Sequence, residues 1–302
     1  MKRIAPLLLA AALAACTAAP APEAAPEPKA HEEMRVSAAE LAKLLDHKDV
    51  VVLHVGRDRA SYDAGHVPGA RYLPLGAIVV EENGIPNELP PVAQLDSVFE
   101  SVGVSDDSRV VLYGDLGGLA AARAFFTLDY LGHARVGLLD GGLDVWKAEG
   151  HPVSTEAPAT VARGSFTPRP QGQRVVTAGW VHEHLSDPKV VLIDARPAAE
   201  YTGAEAGGSV DRPGHIPGAR SLFWQTLLVS PEDPQLRSHD VVRALFEGAG
   251  AEMGKTIVTY CRTGVQASYD YYVARYLGYD DVRMYDGSYL DWSRRNELPV
   301  EK

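Results

Sequence analysis

The segment that patterns as folded protein carries one cysteine, Cys261, in Tyr260-Cys261-Arg262-Thr263-Gly264-Val265-Gln266-Ala267-Ser268. The apolar, β-branched run Thr256-Ile257-Val258-Thr259 precedes it, and a helical pattern from Ala267 to Leu277 follows. The thiol therefore falls where a strand gives way to a helix N-terminus. Backbone N–H groups point outward there, and the positive end of the helix dipole favours both a thiolate and a bound anion. This placement implies a nucleophilic cysteine working on a small anionic substrate. A buried structural cysteine is the alternative reading, but a position at the loop rather than within the strand favours reactivity.

The elements that position this loop occur twice. Gly65-His66-Val67-Pro68-Gly69-Ala70-Arg71 recurs as Gly214-His215-Ile216-Pro217-Gly218-Ala219-Arg220, and Val110-Val111-Leu112-Tyr113 as Ile257-Val258-Thr259-Tyr260. Val51-Val52-Leu53 matches Val190-Val191-Leu192, Tyr130-Leu131-Gly132 matches Tyr276-Leu277-Gly278, and Asp140-Gly141 with Trp146 matches Asp286-Gly287 with Trp292. Matched blocks in one order mark a tandem duplication. Within each copy, β-branched runs alternate with helical stretches such as Ala38 to Leu45 and Ala120 to Leu131. That alternation predicts an α/β fold, a mostly parallel sheet with helices on both faces. Ligands of such sheets bind at the carboxyl ends of strands, where Cys261 lies.

Differences between the copies separate scaffold from chemistry. The first copy reads Tyr113-Gly114-Asp115-Leu116-Gly117 where the second has its thiol, and its path to the Tyr-Leu-Gly block is one residue longer. It should be catalytically dead. Ten extra residues fall in the second copy within Glu200 to Pro213; they either wrap the active site or are a tolerated surface loop. His66 and His215 occur in both copies and read as turn-stabilising imidazoles. The histidines lack metal-ligand spacing and no second thiol is near, so no metal or other cofactor is expected.

A length of 302 residues suits two domains, and a net charge of −11 disfavours nucleic acid or an anionic membrane surface as the main partner. Residues 1–15 read as an export signal: Lys2 and Arg3, then a short apolar stretch from Ile4. Leu13-Ala14-Ala15-Cys16 resembles a bacterial lipobox, which implies lipidation of Cys16 and anchoring without a spanning helix. Residues 16–33, mostly Ala, Pro and Glu, read as an extended tether. Two domains follow at 34–157 and 174–302, joined by a linker over 158–173. Export to the periplasm is expected, with Thr17 favouring the outer membrane in a Gram-negative source.

The repeated Gly-His-[Val/Ile]-Pro-Gly-Ala motif, the Asp-Gly…Trp blocks and the Cys-Arg-Thr-Gly-Val loop of the second copy resemble rhodanese-type sulfurtransferases, from about Val36 to Val300. The resemblance implies two tandem rhodanese-like domains with an inactive first copy. It also implies transfer of the outer sulfur of thiosulfate through a Cys261 persulfide to cyanide or a thiol. Arg262 and Arg196 would then hold the anion, and the backbone of Thr263, Gly264, Val265 and Gln266 would line the cradle. Vertebrate-type enzymes of the family carry Lys where Thr263 stands. Mercaptopyruvate enzymes have Gly after the cysteine, usually Thr in place of Gln266, and an acid where this chain has His54. Arg262 and Gln266 thus favour thiosulfate over 3-mercaptopyruvate. A phosphatase would need Arg at Ala267, which nearly excludes that activity, whereas a membrane-tethered sulfur carrier without turnover would use the same Cys261.

Overall fold

The computed structural model describes residues 29–156 and 161–302. The expected export signal, Cys16 and the stretch before Lys29 lie outside the described residues. The first copy runs β1 (Arg35–Val36), α1 (Ala38–Leu44), β2 (Val50–Gly56), α2 (Ala60–Ala64), β3 (Arg71–Pro74), β4 (Val80–Glu82), β5 (Ile85–Glu88), α3 (Val92–Ser101), β6 (Arg109–Gly114), α4 (Leu119–Tyr130), β7 (Val136–Leu139) and α5 (Gly142–Ala148). The second runs β8 (Val175–Val176), α6 (Ala178–Glu183), β9 (Val190–Asp194), α7 (Ala198–Tyr201), β10 (Arg220–Ser221), α8 (His239–Gly248), β11 (Thr256–Tyr260), α9 (Ala267–Tyr276), β12 (Val282–Tyr285) and α10 (Ser288–Arg294).

Both copies build a five-stranded parallel sheet of the same order, β1-β7-β6-β2-β3 and β10-β9-β11-β12-β8. The α/β fold of two tandem copies is therefore as expected, and β4 and β5 add an antiparallel hairpin to the first. Successive strand residues face opposite sides: Val51, Leu53 and Val55 of β2 enter one core and Val52 the other. On the second side lie Leu41 of α1 and Trp146 of α5; on the first lie Leu95 and Phe99 of α3. That first core is continuous with its counterpart in the second copy. α4 and α9 meet there through edge-to-face pairs, Phe125 on Tyr272 and Phe126 on Tyr271, with ring centres 5.1 and 5.0 Å apart.

The repeated motifs are explained by the contacts they make. Tyr113 and Tyr260 accept, through their hydroxyls, the N–H of Val67 and Ile216 in the two Gly-His-x-Pro-Gly turns. His66 and His215 stack on Tyr62 and Tyr201 and each donates from Nδ1 to that tyrosine's carbonyl, the turn role expected of them. Trp146 and Trp292 donate to the carbonyls of Pro152 and Pro299, which close the copies.

Two sequence expectations need correction. In the sheets His54 pairs with Tyr113 and Asp194 with Tyr260. Val51 therefore corresponds to Val191, one residue off the Val-Val-Leu match, and the insertion of the second copy is one residue shorter than that match implies. The expected tether also ends early. His31 N donates to Tyr276 O (2.8 Å), Met34 O accepts from Tyr272, and Ala30 packs on the shared core. Residues 169–171 of the expected linker do the same to the first copy: Arg169 N donates to Leu131 O and Gln171 N to Tyr130 O. Each copy's leading segment thus docks on the other copy's Tyr-Leu-Gly turn, because that turn exposes carbonyls left free at the helix end.

Candidate active site

Cys261 follows β11 directly, as the sequence implies, but it is almost wholly buried, 1% exposed. The N–H groups of Ala267, Thr263 and Gln266 reach the thiol and favour its ionised form, so the main-chain cradle exists and extends one residue past Gln266. Burial nevertheless outweighs them, reinforced by the Asp194 charge, and pushes the thiol above its ordinary value. The low thiol pKa expected from the helix N-terminus is therefore not a property of the free protein. Cys261 N donates to Ser288 Oγ (3.2 Å), and Ser288 in turn donates to Tyr285 O (2.9 Å). Ser288 holds φ = 55°, where the first copy has Gly142 at 59°. A non-glycine residue in that region costs about 1–3 kcal/mol, a strain offset here by the hydrogen bond that fixes the Cys261 backbone.

Both candidate arginines are already paired. Arg196 is fully buried, and its guanidinium grips Asp194 (2.6–3.1 Å), donates to Gly214 O and stacks 4.1 Å from the Tyr289 ring centre, while among the described residues Nη1 has no hydrogen-bond partner. Burial alone would lower its pKa, but Asp194 reverses the direction and keeps it charged. Arg262 is partly exposed and engages the carboxylate of the buried Glu200 through Nε and Nη2. Gly208, within the insertion, backs onto the same side chain, where an added Cβ would lie 3.3 Å from Arg262 Cδ. The insertion left open by the sequence therefore packs against Arg262.

The rest of the loop is held from the first copy. Asn87 Nδ2 donates to Thr263 Oγ1 (3.0 Å), and Val265 packs half-buried on the shared core. Gly264 has φ = 83°, and an added Cβ would sit 2.8 Å from Asp286 Oδ1 and 3.0 Å from Arg123 Nη1. Those two form a buried ion pair across the copies (2.5 and 3.1 Å), and Asp286 also accepts Leu89 N. Glu88, at the end of β5, has its pKa raised to about 8 by burial and then by Asp286, against Arg123. Asn87, Glu88, Arg123 and Ser288 escaped the sequence reading, and Asp286 and Glu200 entered it only as part of a repeated block and as the edge of the insertion. Of the four, only Ser288 carried a signal, since it replaces a glycine of the first copy.

Gly114 occupies the place of Cys261 in the first copy, and a Cβ there would lie 1.9 Å from Val55 O. By sheet register, Gly56 replaces Arg196 and His54 replaces Asp194. The first copy therefore has no room for a side chain where the second carries its thiol.

This duplicated fold, with a single cradled thiol, defines a class. The rhodanese-like domain matches residues 37–149 and 177–295, and the chain belongs to that family. It is 34% identical to the sulfur carrier protein TtuD of Thermus thermophilus, over 90% of this chain and 98% of that one. It is 31% identical to the thiosulfate sulfurtransferase of Azotobacter vinelandii, over 88% and 96% respectively. The solved structure of wild-type EanB superposes with a TM-score of 0.80 at 24% identity, covering 89% of this chain and 69% of that one.

Proposed function

We propose that the protein is a thiosulfate sulfurtransferase in which Cys261 carries the sulfur. The supporting observation is a sole described thiol, held at the base of a cradle of N–H groups from Thr263, Gln266 and Ala267. The thiol first loses its proton to solvent. Its thiolate attacks the outer sulfur of thiosulfate, the sulfur–sulfur bond breaks, and sulfite leaves with the bonding pair. The Cys261 persulfide anion that remains is stabilised by the same N–H groups. Cyanide or a thiolate then takes the terminal sulfur and restores the thiolate, which gives ping-pong kinetics. A dianionic substrate supplies a competing partner for Arg262, which now faces Glu200. Thiocyanate production from thiosulfate and cyanide that disappears in Cys261→Ala supports this reading; activity retained in the variant overturns it.

A second reading is a sulfur carrier loaded by another protein. The buried, pKa-raised thiol and the occupied Arg262 favour it, since both slow capture of free thiosulfate. It predicts persulfide on Cys261 after incubation with a persulfide donor, without turnover on thiosulfate. We further infer that the chain is exported and anchored by a lipid on Cys16. Palmitate labelling lost in Cys16→Ser tests this, and unlabelled wild-type protein contradicts it.

A further inference from the structure

A cavity of about 320 Å³ lies at the first copy, on the side of the molecule that corresponds to the Cys261 site by the internal repeat. Its size falls within the range of about 300–1,000 Å³ of small-molecule sites. Its lining includes the loop Gly114-Asp115-Leu116 with His54 and Ser61, and Tyr269 and Tyr272 of α9 from the second copy.

Its polarity is the reverse of the Cys261 site. Asp115 stands in the place of Arg262, an imidazole in the place of Asp194, and glycine in the place of the thiol. Asp115 accepts from Ser61 Oγ (2.8 Å) and Arg57 N (3.1 Å), but among the described residues no Arg or Lys pairs with it. His54 Nε2 lies 3.4 Å away, and burial lowers the His54 pKa, so that ring stays neutral and leaves the carboxylate uncompensated. His54 is 3% exposed, and among the described residues its Nδ1 has no hydrogen-bond partner. Asp140, also on the wall, is neutralised by Arg35 (2.8 Å). Asp144 and Lys147 at the exposed rim offset one another in charge.

We propose that this cavity is a second ligand site, selective for a small organic cation: an amine or amidine with an apolar body. Asp115 supplies the counter-charge, Ser61 and His54 the polar contacts, and Tyr269 and Tyr272 the apolar and cation-attracting lining. An anion would face the Asp115 carboxylate and the field of a chain of net charge −11. The site needs no thiol and is independent of Cys261.

Calorimetric titration of the full chain with benzylamine, benzyl alcohol and benzoate tests the proposal. Benzylamine should bind about tenfold or more tighter than benzyl alcohol, and benzoate should not bind measurably. Asp115→Asn should erase the preference for the amine, Leu143→Trp at the mouth should block it, and Cys261→Ser should leave it unchanged. Benzoate binding as tightly as benzylamine overturns the proposal. So does the absence of binding by all three probes, or a preference that survives both cavity variants. The ranking of the three probes on the wild-type protein decides even where a variant does not fold.

Discussion

At the scale of single residues, the two copies differ in what their strand ends can hold. Gly114 cannot accept a side chain without meeting Val55 O, so Gly114→Cys does not restore a second site. In a Cys261→Ala background it should give no sulfur transfer, and it should lower unfolding free energy by about 3 kcal/mol; recovered activity would contradict this. Glu88 offers a test through pH. Its folded pKa of about 8 lies above its ordinary 4.5, so the folded state holds a proton that the unfolded state has released. Its contribution to stability is full below pH of about 4.5 and is lost as pH rises through about 8. Glu88→Gln should therefore shrink the fall in melting temperature between pH 5 and pH 8. An unchanged fall would show that Glu88 titrates normally. The thiol itself was legible in its position and not in its ionisation. A linear sequence shows the strand–helix junction, whereas desolvation and the nearby Asp194 depend on what packs around it.

At the scale of elements, β11 (Thr256–Tyr260) and α9 (Ala267–Tyr276) were readable because apolar periodicity and the Gly264 loop punctuate them. The hairpin β4–β5 was not, although it brings Asn87 and Glu88 to the active-site loop. It belongs to the copy without a nucleophile, and no spacing rule connects residues 87 and 263. The insertion after β9 was visible as extra length, but its role emerges from Glu200 and Gly208 flanking Arg262. Releasing Arg262 should favour a dianion, so Glu200→Gln should lower KM for thiosulfate about three- to fivefold with kcat little changed. That scale corresponds to a partly exposed ion pair of about 0.5–1 kcal/mol. A raised KM would instead show that Glu200 is needed to hold Arg262 in place.

At the scale of the whole molecule, the duplication is closed by exchange. Residues 29–34 dock on the second copy, residues 169–171 dock on the first, and one core runs through both. Repeats announce the two copies in the sequence; the exchange leaves only the glycine of each Tyr-Leu-Gly block as a trace. A Cβ on Gly278 (φ = 86°) would lie 2.4 Å from Lys29 O, so Gly278→Ala should cost on the order of 2 kcal/mol in urea unfolding. A neutral substitution would mean that the leading segment is not held there. We propose that the first copy supports the Cys261 loop, through Asn87, Arg123 and the shared core, and that Cys261 supplies the chemistry. The most direct test of that claim is the mass of the Cys261 peptide after the protein is incubated with thiosulfate. The account predicts a gain of one sulfur atom, removed by cyanide and absent in Cys261→Ala. A peptide that stays unmodified with both thiosulfate and a persulfide donor, or sulfur carried on another residue, would contradict it.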